Sequence, residues 1–257
     1  MTREASIIEL ADWLQTPPGR YLLAWEQAQM DAAVADVFGF HALQLGLPEL
    51  AALRTNRMRH QWLALDVAPP QPQPLAGIAL HCAFDALPFE ANSLDLVVLP
   101  HALEMAQDPH QTLRECERVL RPEGRLVILG LNPASLWGLR QNLGRLRSGR
   151  LFLPQSGDFI GYWRLRDWLR LLSFEVDSAR FGGYCPPLRS EAWLHRWRWT
   201  ESVGSRWWPV LGAVYFISAV KRVHGMRLVG LARDQKRRAK ATAPAVARHQ
   251  HHSDNKP

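Results

Sequence analysis

A doubly wound, mostly parallel α/β sheet is the fold that this chain of 257 residues predicts, on three observations. Short apolar runs alternate with amphipathic stretches at the spacing of βαβ units. Two of the runs, LDLVVL at 94–99 and RLVILGL at 125–131, are unbroken, as expected of strands covered on both faces. Between them, DPHQTLRECERVLRPEG carries helix signals at both ends.

The elements follow in order. Up to about Phe40 the chain reads as helices, with Ile7, Leu10, Ala11 and Leu14 on one face and the turn TPPG before a second helical stretch. HALQLGL is a first strand, and PELAALRTNRM reads as a short helix with Pro48 in its first turn. HQWLALDV is a second strand ending near Asp66. Four prolines in APPQPQPLAG then predict an extended connection.

GIALHCAF is a third strand, with Asp85 beyond it and the turn ALPFEANS before the fourth. Asp108 is an N-cap candidate, Pro109 sits at the first helical position, and Leu113, Cys116, Val119 and Leu120 share one face. The last third differs: YWRLRDWLRLLS has an apolar helical stripe, and FEVDSARF and AVYFISAVKR read as two late strands closing the sheet in an antiparallel unit.

Composition narrows the class. At 47% hydrophobic the chain supports a real core. The start lacks a basic, then apolar, signal-peptide pattern, and the run Trp207 to Val220 is short for a membrane span and holds Pro209 and Gly212, so a soluble, cytoplasmic protein is expected. Cys82, Cys116 and Cys185 are odd in number and widely spaced, which fits free thiols better than disulfides or a metal pair.

The net charge of +7 is a property of the tail: from Lys221 onward ten Lys or Arg face two acids, leaving residues 1–220 at −1. Residues 225–257, with His249, His251 and His252, have the composition of a mobile basic arm, with weak nucleic-acid or anionic-membrane contact as its expected partnership. The expected organisation is therefore N-terminal helices at 1–40, an α/β domain at 41–224 and this tail. Within that domain, a Trp-rich insertion at 185–210 leaves three readings open: a cap offering stacking surface over a substrate pocket, an interfacial helix touching membrane, or core beneath the sheet.

In a doubly wound sheet ligands bind beyond the carboxyl ends of the strands, at the switch point beside the first. That directs attention to the turn after HALQL, to Asp66, to Asp85 and to the loop after LDLVVL. From Cys82 to Leu131, Asp85 before ALPF, the strand NSLDLVV, the loop ALE and LRECERVLRPEGRLVI together resemble the class I S-adenosylmethionine-dependent methyltransferases. The similar group is the small-molecule, type 11-like one that includes the quinone-biosynthesis enzymes. GAVYFISAVKRV looks like that family's last strand.

The resemblance implies a seven-stranded sheet with the seventh strand antiparallel and inserted before the sixth. It implies S-adenosylmethionine as cofactor, a small-molecule substrate, Asp66 accepting from the ribose hydroxyls and Asp85 from the adenine amino group, with Gln44, Gly46, Ala86 and Leu99 completing the cofactor-binding set. It also places His101, Glu104 and Asn132 as catalytic candidates, with His110 behind.

Two departures stand out. The family pattern of an acid followed by glycines at alternate positions becomes Gln44, Gly46, Pro48 and Leu50, and Met105 stands where many relatives have histidine. Pro48 donates no N–H and Leu50 adds bulk. The expected function is methyl transfer to an aromatic or lipid-soluble small molecule, the alternative being a catalytically inactive domain serving as a binding or regulatory module. A nicotinamide-dependent dehydrogenase requires a glycine-rich pyrophosphate turn not found here.

Overall fold

The computed structural model describes residues 3–66, 78–146, 152–154 and 159–222. The proline-rich connection, the tail histidines and the basic tail lie outside them. A contact division places Met1–Val223 in one compact unit.

That unit is built on a seven-stranded sheet. In chain order the elements are α1 (Arg3–Leu14), α2 (Pro17–Val34), β1 (His41–Leu45), β2 (His60–Leu65), β3 (Ile78–His81), β4 (Leu94–Pro100), α3 (Ala102–Met105), α4 (Pro109–Val119), β5 (Leu120–Leu131), α5 (Leu136–Leu146), α6 (Tyr162–Leu171), β6 (Phe174–Gly182), α7 (Glu191–Arg196), α8 (Thr200–Trp207) and β7 (Val214–Lys221). The strand order is β3-β2-β1-β4-β5-β7-β6, with β7 antiparallel to both neighbours and the other pairings parallel. The order reverses between β1 and β4, so the switch point falls at the expected turn.

Alternation along the central strands explains why the sheet is covered on both sides. Leu43 and Leu45 of β1, Val97 and Leu99 of β4, and Leu126 and Ile128 of β5 join one core with α4 and α6. Ala42, Leu96, Val98, Val127 and Leu129 point into a second core with Leu10, Leu14, Met30 and Val34 of α1 and α2. Period-two side chains on strands this apolar require a helical layer on each face.

Helix starts are explained locally. Thr16 caps α2, accepting from Gly19 N, ahead of Pro17 and Pro18. Asp108 caps α4, its Oδ1 accepting from His110 N at 2.9 Å and Gln111 N at 3.0 Å. Cys116 and Cys185 are buried and reduced, and Cys82 is partly buried.

One expected element fails, since PELAALRTNRM forms a chain of turns and no helix; the third strand is present but shorter than GIALHCAF, at Ile78–His81, and α5 is an element the sequence reading left unassigned. Core under the sheet is also ruled out for most of the Trp-rich insertion: Trp193, Trp199, Trp207 and Trp208 are each more than half exposed.

Candidate active site

The first turn is built around one side chain. Gly46 N extends the β1 ladder by donating to Ala64 O at 2.8 Å, and the chain then turns through Gly46 at φ 75° and Leu47 at φ 43°. A side chain at Gly46 would meet only ordinary contact with Phe84, 3.6 Å away, so glycine is needed there for its left-handed backbone. Gln44 is buried. Its Nε2 donates to the carbonyls of Gly46 (3.1 Å), Leu47 (2.9 Å) and Leu50 (2.8 Å), while its Oε1 accepts from Ala52 N at 3.1 Å.

These bonds also account for the missing helix. Carbonyls 46, 47 and 50 and the Ala52 amide, which an α-helix would pair along its axis, are drawn to one amide group. Leu50 is buried where the family pattern has a glycine.

Beyond the turn, Asp66 follows β2 half-buried and Phe84 lies buried after β3. The Cys82 thiol is pushed up by its burial and then by the Asp66 charge, which places the two groups close together. Gly46, Leu47, Asp66, Phe84, His101 and Met105 wall a common cleft enclosing about 50 Å³. Ligand pockets run to roughly 300–1,000 Å³, so this one is nearly closed. Asp85 and Ala86 are exposed outside its wall, and Leu99 is buried within the sheet.

At the end of β4, His101 takes a left-handed backbone at φ 55° and its N–H donates to Leu129 O at 3.0 Å. The conformation turns its ring inward, between two carboxylates. Nδ1 lies 2.9 Å from Glu104 Oε2, and Nε2 lies 2.9 Å from Glu26 Oε1 on α2. All three residues are buried, and the second Glu104 oxygen accepts from Leu131 N. Glu26 Oε2 is buried with no hydrogen-bond partner among the described residues.

Burial alone would lower the His101 pKa; the Glu26 and Glu104 charges and hydrogen bonds outweigh it and raise the group to about 10. Protonated at neutral pH, the ring donates from both nitrogens and has no lone pair to accept a proton. As folded, then, both ring nitrogens of His101 are engaged by buried carboxylates.

Asn132 is likewise turned inward. Its Nδ2 donates to Val210 O at 2.7 Å and Gly212 O at 2.9 Å, and its Oδ1 accepts from Ala134 N at 3.1 Å. The side chain ties the end of β5 to the loop before β7. His110 is exposed and packs on Trp168, ring centres 3.7 Å apart.

Of the candidates, the fold brings Gly46, Asp66 and His101 to one cleft, holds Gln44, Glu104 and Asn132 in the surrounding structure, and leaves Asp85 and Ala86 on an outer loop. Glu26 was missed. Its signal was the spacing Leu22, Glu26, Met30, which sets a lone acid on the inward stripe of α2.

Sheet order, switch-point cleft and inserted antiparallel β7 define a class I methyltransferase architecture, and comparison with known proteins agrees. A family model described as a methyltransferase domain matches residues 49–128, from just past the first turn through most of β5. The chain belongs to the class I S-adenosylmethionine-dependent methyltransferase family.

It is 34% identical over 172 residues to the Escherichia coli K12 protein named "Uncharacterized protein YafS", covering 66% of this chain and 67% of that one. It is 51% identical over 45 residues to the ubiquinone/menaquinone biosynthesis C-methyltransferase UbiE of Hahella chejuensis, covering 18% of each chain. Among solved structures, a Haloferax volcanii methyltransferase in complex with the Trm112 methyltransferase activator has TM-score 0.57 at 18% identity, covering 86% of this chain and 99% of that one. An Archaeoglobus fulgidus S-adenosylmethionine-dependent methyltransferase has TM-score 0.54 at 16% identity, covering 77% and 94%. At these identities the structural likenesses establish the fold alone.

Proposed function

We propose that this chain binds S-adenosylmethionine at the cleft beside β1 and β4 and promotes methyl transfer to a small molecule of aromatic or lipid-soluble character. The observation that carries the reading is the convergence of Gly46, Asp66 and Phe84 on one cleft at the switch point. The name of the quinone-pathway relative supports a ring acceptor, although the shared segment is 18% of either chain.

The residues present fit the adenosine half of this cofactor. Asp66 offers an acceptor for ribose hydroxyls, Phe84 an apolar wall, and Asp85 an acceptor for the adenine amino group from the outer loop. The methionine half finds a different arrangement: the Gln44 amide is already bonded to its own turn, and the carboxyl lining the cleft there is Glu49, whose pKa burial raises. At about 50 Å³ the cleft must widen for a nucleoside to enter, and Leu47 and Met105 are among the flexible side chains of its wall.

The chemistry that S-adenosylmethionine supplies when bound is an electrophilic sulfonium methyl. The protein's share of such a transfer is to align the acceptor and exclude water, and the largely apolar wall of the cleft suits both. Proton removal by His101 has no place in this scheme, since its lone pairs are occupied.

The closed turn and the sealed His101 favour a second reading, a methyltransferase-like domain that binds or regulates without turnover. Calorimetric titration of the full chain with S-adenosylmethionine and S-adenosylhomocysteine separates the two. A measurable heat, weakened by Asp66→Ala and by Asp85→Ala, is the expected result. No heat with either ligand leaves the second reading, and unchanged affinity in both variants refutes the assigned cleft.

A further inference from the structure

The surface formed by α5 and the α7–α8 insertion contradicts what its sequence pattern would bury. In α5, Leu136, Leu139 and Leu143 lie at helical spacing and are 51%, 54% and 49% exposed. The side chains turned inward are Trp137 and Gln141, both almost fully buried, and Gln141 bonds the backbone of Phe152 and Leu153. The helix therefore shows its leucine stripe to solvent, the reverse of a helix packed on its own core.

The insertion continues the same surface. Leu136 shares with Trp199, Val203, Trp208 and Leu211 a groove of about 350 Å³. The two hydroxyls in its wall are used internally, Tyr184 Oη donating to Pro209 O at 2.6 Å and Thr200 Oγ1 to Trp197 O at 2.6 Å. Trp207, the residue next to the groove, is 70% exposed. A patch of this kind on a water-soluble surface marks an interaction site.

Charge selects the occupant. Arg196, Arg198 and Arg206 of the insertion are exposed, against Glu191 and Glu201. Glu191 is paired with Arg20 at 3.4 Å, and Glu201 accepts from Tyr184 N at 2.9 Å. A second copy seated symmetrically would bring these arginines together, which is unfavourable. Nucleic acid would use arginine and tryptophan but has no use for the aliphatic Leu139, Leu143 and Leu211. Tryptophan, leucine and arginine together match the interface of an anionic bilayer, where indoles sit at headgroup depth, leucines reach the acyl boundary and guanidinium groups meet lipid phosphates.

We propose that the α5 and α7–α8 surface seats the protein on anionic phospholipid membranes, with the leucine stripe and the exposed tryptophans as the inserting elements. The attachment is peripheral, and it is independent of whether the cleft takes a cofactor. Each basic side chain near such a surface adds to the attraction, so the preference for anionic over neutral lipid should be large.

The test is co-sedimentation of the full chain with phosphatidylcholine vesicles, with and without phosphatidylglycerol. Binding should favour the anionic vesicles at least tenfold. The charge-neutral variant Leu139→Ser/Leu143→Ser/Trp207→Ser should lose at least tenfold in partitioning, and Trp207→Ser alone, at a solvent-facing position, at least threefold. Phe38→Ser, which removes an exposed aromatic just before β1 at the opposite end of the strands from α5, should change nothing. Absence of binding to anionic vesicles overturns the proposal. So does wild-type binding by both patch variants, or a dimer in sedimentation velocity that the triple variant dissolves, which would assign the patch to a second copy.

Discussion

The four hydrogen bonds of Gln44 hold the first turn of the sheet in one shape, because three carbonyls and one amide converge on a single buried side chain. Gln44→Ala leaves Gly46 O without this donor and removes a second partner from Leu47 O, Leu50 O and Ala52 N, and should cost about 1–3 kcal/mol in urea unfolding. Gln44→Glu, which restores the family's acid, should cost more than alanine does. Its carboxylate would face the oxygens of Gly46, Leu47 and Leu50 with no proton to offer them. At His101 the effect is one of pH. Its folded-state pKa, raised to about 10 from an ordinary 6.5, means that its ion pairs stabilise the fold fully below pH 6.5 and lose that contribution as pH rises through about 10. The stability difference between wild type and His101→Gln should therefore shrink from neutral pH to pH 10, as read from urea midpoints. A constant difference would show that His101 is neutral in the folded protein. Sequence reasoning located both residues but not their bonding, since whether a buried amide or imidazole points to a ligand or to its own backbone depends on atoms several residues away.

Among the elements, α2 does more than cover the sheet. Its inward stripe carries Leu22, Met30 and Val34 into the core and delivers Glu26 to His101, so the N-terminal helices are pinned to the end of β4 by charge as well as by packing. Removing Glu26 leaves the His101–Glu104 pair intact but the buried Nε2 donor without its acceptor, and Glu26→Ala should cost about 1–3 kcal/mol. Hydrogen exchange should then show faster opening of α2 than of α4. Equal protection in both helices would mean that apolar packing alone holds α2. The parallel strands and α4 were legible from unbroken apolar runs, a cap and a stop. The short helix expected after Pro48 was not to be had, because Gln44 captures its backbone groups. The helix α5 escaped notice because its leucines face outward, so periodicity was present without the burial it usually signals.

For the whole molecule, the order β3-β2-β1-β4-β5-β7-β6 was available from the family resemblance, and local pattern alone reached only as far as an antiparallel end to the sheet. The position of the candidate site followed from the same topology, since a switch point has one location once the order is known. What stayed illegible was the state of the cleft: its small volume, the inward commitment of Asn132, and the exposure of four tryptophans are all tertiary outcomes. The central claim is that this nearly closed cleft still receives the nucleoside end of the family cofactor. A crystal structure of the full chain grown with S-adenosylhomocysteine tests it most directly. The account predicts density for the adenosine half between Gly46 and Asp66, with Leu47 or Met105 displaced and Gln44 still bonded to its own turn. A cleft that stays closed over Phe84 at saturating ligand, or ligand density bound elsewhere on the chain, would contradict it.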